Sequence, residues 1–284
     1  MRARYRDVDM DFTGRIVVVT GAGSGIGQAT ARLFSRLGAY VHGADVDRGS
    51  VEALVAELGE ERAAAHELDV RDAAAVEAFA VDVFARGRGV DVLHNNAGIG
   101  HAGEIEHTTI EDWDRVIGVN LLGVAYGVQA FAPRMLEQGR PASIVNTASS
   151  LGLVAMGRMA PYCASKFGVV GLTEALHAEL APRGLHVCAV CPGIIDTPIT
   201  RNAVLRGTPG ERREGIAGFY GRYGASADQV AGAVVDAVRR NRVIAPVPRS
   251  QVSPAWWAKR MSHRTGQVIA RHMPRVVLGR GAGT

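Results

Sequence analysis

At 284 residues, with 47% hydrophobic and 21% charged side chains, the chain has the apolar content for a full core, which excludes an intrinsically disordered protein. The formal net charge of +4 is uneven: residues 241–284 hold eight Lys or Arg and no acid, leaving the first 240 at 24 minus 28, or −4. The basic character therefore belongs to a tail, and the body has no electrostatic reason to seek nucleic acid.

Residues 1–11 are charged and contain no apolar run, so they do not read as a secretory signal. The three cysteines, Cys163, Cys188 and Cys191, form no pairing pattern, and the nine histidines are scattered without metal-ligand spacing. No disulfide framework and no metal are expected, and a reducing cytoplasm fits.

The first expected strand, residues 16–20, runs into Gly21-Ala22-Gly23-Ser24-Gly25-Ile26-Gly27, and a helical period follows over 25–37. Glycines let backbone amides approach an anion, and the helix start adds free N–H donors and a positive dipole end. Such a loop is a weak signal alone; its place between a strand and a helix strengthens it. The second strand, 40–45, ends on Asp45, 18 residues past Gly27. A carboxylate there accepts hydrogen bonds from ribose hydroxyls and repels a 2′-phosphate, which favours NAD over NADP. The plainer reading is a surface Asp ahead of a helix. No base occupies Ser24 or Val46, although Arg48 is near.

Helix 48–58, strand 63–68, helix 72–86 and strand 91–94 continue the alternation. A long helical stretch, 110–136, contains the uncharged run 116–133; Asn120, Gln129 and three glycines within it favour a core helix over a membrane span. Strand 143–147, helix 159–181 and strand 186–190 follow, then a Gly-, Arg- and Pro-rich stretch, 198–224, expected to be a lid or binding loop rather than a surface insert. Helix 227–239 and strand 243–247 close the series. The pattern is that of an α/β fold: a Rossmann-type doubly wound parallel sheet of about seven strands flanked by helices. One domain over residues 1–250 and a basic C-terminal extension over 251–284 are expected.

Tyr162 and Lys166 lie four residues apart in a helical segment and so share a face. A tyrosine with a pKa of about 10 is a poor base near neutrality; a neighbouring ammonium is expected to lower that value and make the phenol a usable general acid/base. An isolated Tyr-x-x-x-Lys is common surface chemistry. Here Ser149 closes the fifth strand, 13 residues earlier, at the sheet edge where ligands bind. Its hydroxyl can donate to a substrate oxygen. Ser150 competes for that role, and either serine could instead cap a helix or turn.

Together these segments make the chain resemble the short-chain dehydrogenase/reductase superfamily, of the compact, non-extended type. Thr20-Gly21, Gly25 and Gly27 match its cofactor loop, which Ser24 and Ile26 complete; Asp69-Val70 resembles its adenine-contacting pair; Asn95-Asn96-Ala97-Gly98 matches its segment after the fourth strand. Asn120 falls at its active-site asparagine, Ser149, Tyr162 and Lys166 at its other catalytic positions, and Pro192-Gly193-Ile194-Ile195-Asp196-Thr197 at the segment beside the nicotinamide. Ala148 departs from the family's usual serine, and Cys163 is tolerated variation.

The resemblance implies NAD(H)-dependent hydride transfer between a secondary alcohol or ketone and nicotinamide. Tyr162 would move the proton, Ser149 orient the substrate oxygen, Lys166 hold the ribose hydroxyls, and Asn120 support a water relay to Lys166. It also implies a homo-oligomer, dimer or tetramer, formed through the helices around Asn120 and Tyr162. Residues Val154, Ala155, Met156 and Ile194 and the stretch 198–224 are expected to line an apolar substrate pocket. Two other functions compete: a catalytically silent dinucleotide-binding sensor or scaffold, and another Rossmann enzyme such as a methyltransferase, which has no use for Tyr162 and Lys166. The basic tail, with Trp256 and Trp257, is expected over the pocket or at a subunit contact; contact with an anionic membrane surface is the second reading, weakened by Gly266 in the apolar stripe.

Overall fold

The computed structural model describes residues 11–207 and 210–277. Strand β1 (Ile16–Thr20) is buried along its whole length and alternates its faces: Val17 and Val19 join one core, Ile16 and Val18 the other. This two-sided burial is why the parallel strands read as continuous apolar runs. With β2 (Tyr40–Asp45), β3 (Ala63–Glu67), β4 (Val92–Asn95), β6 (Ala142–Thr147), β7 (Leu185–Pro192) and β9 (Ile244–Val247), it forms a seven-stranded parallel sheet in the order β3-β2-β1-β4-β6-β7-β9. The order reverses between β1 and β4, which opens a crevice at the carboxyl ends of these strands.

Helices α1 (Gly25–Arg36) and α9 (Ala227–Arg239) pack on one face, where Phe12, Phe34, Val230 and Val234 join the core; α2 (Arg48–Leu58) adds Val51 and Leu54 to it. Helix α3 (Ala73–Ala85) packs on the other face, with Phe79 against Phe131. Local signals set the helix starts. Asp72 accepts from the Ala74 and Ala75 amides ahead of α3, and Ser226 and Gln229 form a capping box at α9.

The expected helix 110–136 forms as one helical run, Ile110–Glu137, but not as a uniform α-helix. It is α4 (Ile110–Ile117), a π-helical turn (Gly118–Leu122), then α5 (Gly123–Glu137). The extra residue in that turn lets the Asn120 amide face Ile99, whose N–H it accepts at 2.8 Å and whose carbonyl it donates to at 3.0 Å. The stretch Ile110–Glu137 is long and apolar enough to cross a bilayer, but half of its most apolar window is buried in the protein, with Val124, Phe131 and Met135 in the core.

Residues 198–224 are not the expected loop. They contain α7 (Pro198–Arg201), β8 (Val204–Leu205) and α8 (Gly210–Tyr223). Strand β8 pairs in parallel with β5 (His101–Ala102), forming a two-stranded flap outside the main sheet. Arg206 fastens it: Nε and Nη2 each donate to a carboxylate oxygen of Asp112 at 2.9 Å, and Asp112 also belongs to the α4 capping box. This structure depends on partners about a hundred residues away, so local composition reads as loop.

Helix α6 (Ala160–Leu180) carries the Tyr162 segment along the sheet. The tail folds into two helices, α10 (Arg249–Met261) and α11 (His263–Val277), which pack on each other and on the segment between Ser149 and Tyr162. Lys259 Nζ donates to the Leu153 carbonyl at 2.7 Å and lies 4.2 Å from the centre of the Phe167 ring; the Gly157 amide donates to the Ala270 carbonyl at 3.1 Å.

Candidate active site

A cavity of about 1070 Å³ opens along the carboxyl ends of β1, β2, β3, β4, β6 and β7. Its first wall is the glycine loop. Gly21 and Gly25 take positive φ angles of 65° and 53°. Gly27 has no such angle but cannot be replaced: a Cβ would sit 2.0 Å from the Gly21 carbonyl oxygen, so its role is close packing of α1 on the loop. Gly21, Ser24, Gly25 and Ile26 line the cavity, whereas Gly27 lies behind them. Ser24 begins α1 without a side-chain cap bond. The first amides of any helix lack intrahelical partners, so this end is suited to an anionic group.

Asp45 stands beside the loop. Its Oδ2 accepts from the Gly23 amide at 2.8 Å and its Oδ1 from the Asp47 amide at 3.1 Å. Arg48 is turned to Glu52, with Nε 2.7 Å from Oε1. Asp69 and Val70 also line the cavity, and Arg71 donates from Nε to both Asp69 oxygens at 3.0 Å, which holds that carboxyl below its usual range.

After β4, Asn96, Ala97 and Gly98 cross the floor. The Asn96 side chain points to the loop, donating to the Thr20 and Gly21 carbonyls at 3.1 and 3.2 Å; Thr20 Oγ1 accepts from the Asn96 and Ala97 amides at 3.0 and 3.2 Å. Asn96 is thus a clasp between two strand ends. Pro192, Gly193, Ile195 and Thr197 complete the far wall.

Ser149, Tyr162 and Lys166 come together on one wall of this cavity. Ser149 Oγ accepts from the Leu151 amide at 3.1 Å, and its side chain faces the same cavity as the Tyr162 phenol. Lys166 is buried, and Nζ donates to the Thr147 carbonyl at 2.8 Å. Burial pulls its pKa down to about 8. The phenol departs from expectation. Burial pushes Tyr162 up to about 12, the Ser149 hydroxyl pulls the other way, and nearby Tyr220 adds to the rise. Desolvation of the anion dominates here, and the ammonium faces Thr147 rather than the phenol. Asn120 is fully buried behind Gly98, donating also to Ser165 Oγ at 3.3 Å; it does not line the cavity.

The remaining wall is largely apolar: Val154 and Met156, then Leu205 and Phe219 from the flap and α8, then Ile269 and Met273 from α11. Ile194 lines it as expected, but Ala155 is exposed and points away, because Val154 and Met156 on either side turn inward. Among the polar groups on this cavity that sequence reasoning missed are Thr147, Tyr220 and His101. The position of Thr147 at the end of β6 was a usable signal; Tyr220 lay in a stretch read as loop. Nothing local marked His101, which reaches the cavity through the flap, with Nε2 3.6 Å from Asp112 Oδ2. Burial lowers the His101 pKa, and Asp112 opposes that shift.

The family model for short chain dehydrogenase matches residues 15–206. The chain is 40% identical over 247 residues to the probable oxidoreductase EphD of Mycobacterium tuberculosis, which covers 83% of this chain but 41% of that protein, so the chain spans about two fifths of this relative's length. It is 40% identical to D-threitol dehydrogenase of Mycolicibacterium smegmatis, over 71% of this chain and 79% of that one. Among solved structures, a short chain dehydrogenase/reductase from Burkholderia phymatum in complex with NAD superposes with a TM-score of 0.83 at 31% identity, covering 90% of this chain and 96% of that one.

Proposed function

Because the chain belongs to the short-chain dehydrogenase family, we propose that it is an NAD(H)-dependent oxidoreductase interconverting a secondary alcohol and a ketone on a hydrophobic body. The observation that carries this reading is the junction of two sites in one cavity: the glycine loop with Asp45, and Ser149, Tyr162 and Lys166 together on one wall.

The residues present fit a dinucleotide. The loop leaves no room for a side chain at Gly27, α1 offers its amides, and Asp45 presents a carboxylate where ribose hydroxyls would be held. Lys166 keeps two N–H donors beyond its bond to Thr147 and would hold the second ribose. When bound, the nicotinamide supplies or removes the hydride.

The protein's own groups handle the proton and the oxygen. With its pKa near 12, Tyr162 is a neutral phenol at physiological pH, so it is set to donate. In the reductive direction it gives its proton to the carbonyl oxygen as the hydride reaches the carbonyl carbon, and the buried Lys166 charge stabilises the phenolate left behind. In the oxidative direction the same proton returns from the hydroxyl. Ser149 fixes the oxygen beside Tyr162. The apolar walls favour a cyclic or lipid-like ketone over a polyol, and the free, buried cysteines fit a cytoplasmic setting.

The test is a screen of cyclic and aliphatic secondary alcohols with NAD⁺ and NADP⁺, following reduced nicotinamide by absorbance. Tyr162→Phe should retain NAD binding by calorimetry while turnover falls on the order of a thousandfold. Surviving turnover would sink the mechanism. NAD binding without turnover on any alcohol would favour a silent sensor.

A further inference from the structure

The α10–α11 hairpin has two unlike faces. Its inner face closes the cavity through Ala255, Ile269 and Met273. Its outer side leaves large apolar side chains in solvent: Trp257 is 58% exposed, Met261 84% and Val268 58%. Trp257 and Met261 are one turn apart on α10, and Arg260 lies over the Trp256 and Trp257 rings, 5.4 and 5.9 Å from their centres. On α11, Arg264, Val268 and Arg271 fall four and three residues apart, and all three are exposed. The spacing puts them on one stripe of that helix.

We propose that this outer face docks on the surface of an anionic phospholipid membrane. The charge argues for it. Arg260, Arg264 and Arg271 charge this face and residues 241–284 contain no acid, so a second copy meeting it through the same face would bring like charges together. Exposed Trp and Met beside arginines match the boundary between acyl chains and phosphate, where an indole is half wet and a guanidinium binds phosphate. The hairpin is also a built element. A Cβ on Gly266 would lie 2.8 Å from Lys259 Cγ, so the glycine read from sequence as a break in the stripe is where the helices cross closely. Lys259 is in turn bound to Leu153. The docking does not depend on which substrate the cavity takes.

The full chain should sediment with vesicles of phosphatidylcholine mixed with phosphatidylglycerol, be released as salt is raised, and show a blue shift of tryptophan emission. Arg264→Glu with Arg271→Glu should weaken partitioning at least tenfold, and Trp257→Ser should weaken it by about tenfold; melting and turnover should be unchanged, which excludes a folding defect. Equal binding to pure phosphatidylcholine, or no sedimentation, overturns the proposal. So does binding to heparin that matches vesicle binding and ignores Trp257→Ser, which marks a polyanion site. A lipid-free dimer abolished by Trp257→Ser would assign the face to a second copy instead.

Discussion

Lys166 Nζ lies 5.8 Å from the centre of the Tyr162 ring, one helical turn away on α6. It is anchored to the Thr147 carbonyl rather than to the phenol. That arrangement keeps a cation in a buried wall, at a cost to the fold.

The cost has a sign that pH reveals. Burial lowers the Lys166 pKa from 10.5 to about 8, so between those values the unfolded chain binds the extra proton. Stability therefore rises with pH across that window, and below about pH 8 the penalty is fully present. Relative to Lys166→Met, the wild type should gain about 2 kcal/mol between pH 7.5 and 10, measured by urea unfolding. Parallel curves would show that this burial carries no such penalty. The same substitution should reduce turnover.

Asp45 bonds two backbone amides and faces the cavity, while Arg48 is paired with Glu52. Replacing it with asparagine keeps an acceptor and removes the charge. Asp45→Asn should narrow the preference for NAD⁺ over NADP⁺ by about ten- to a hundredfold in kcat/KM, mostly through better use of NADP⁺. An unchanged ratio would mean that this carboxylate does not read the ribose.

Arg206 holds the flap to the body by two bonds to Asp112, a buried carboxylate kept well below its usual range. Arg206→Ala should loosen β8 from β5 and raise KM several-fold while kcat changes little, because Tyr162 and Lys166 are anchored on α6 and β6. Steady-state kinetics decide it; a loss confined to kcat would place Arg206 in the chemistry instead.

The central frame was legible because its strands carry their information locally. Buried valines and alanines bounded by turn residues located all seven sheet strands, and β1 and β2 match residue for residue. The glycine loop, Asp45, Ser149, Tyr162 and Lys166 all meet at one cavity, as their positions at strand ends or one helix turn apart implied. What stayed hidden depends on distant partners. The flap needs Asp112 for Arg206, and the π turn needs Ile99 for Asn120. The tail contains Pro254 and Pro274, which mask two helices that form against the body. Spacing gives the proximity of Tyr162 to Lys166 but not the weight of desolvation, which pushes the phenol upward.

The clamp that Lys259 and Ala270 make on residues 153–157 divides labour within the chain. Ser149, Tyr162 and Lys166 sit on elements tied into the central sheet, whereas part of the chamber's outer contour comes from α10 and α11. Those helices are an exchangeable part: grafting a different hairpin there would resize the opening for a new molecule and leave the wall formed by Ser149, Tyr162 and Lys166 untouched.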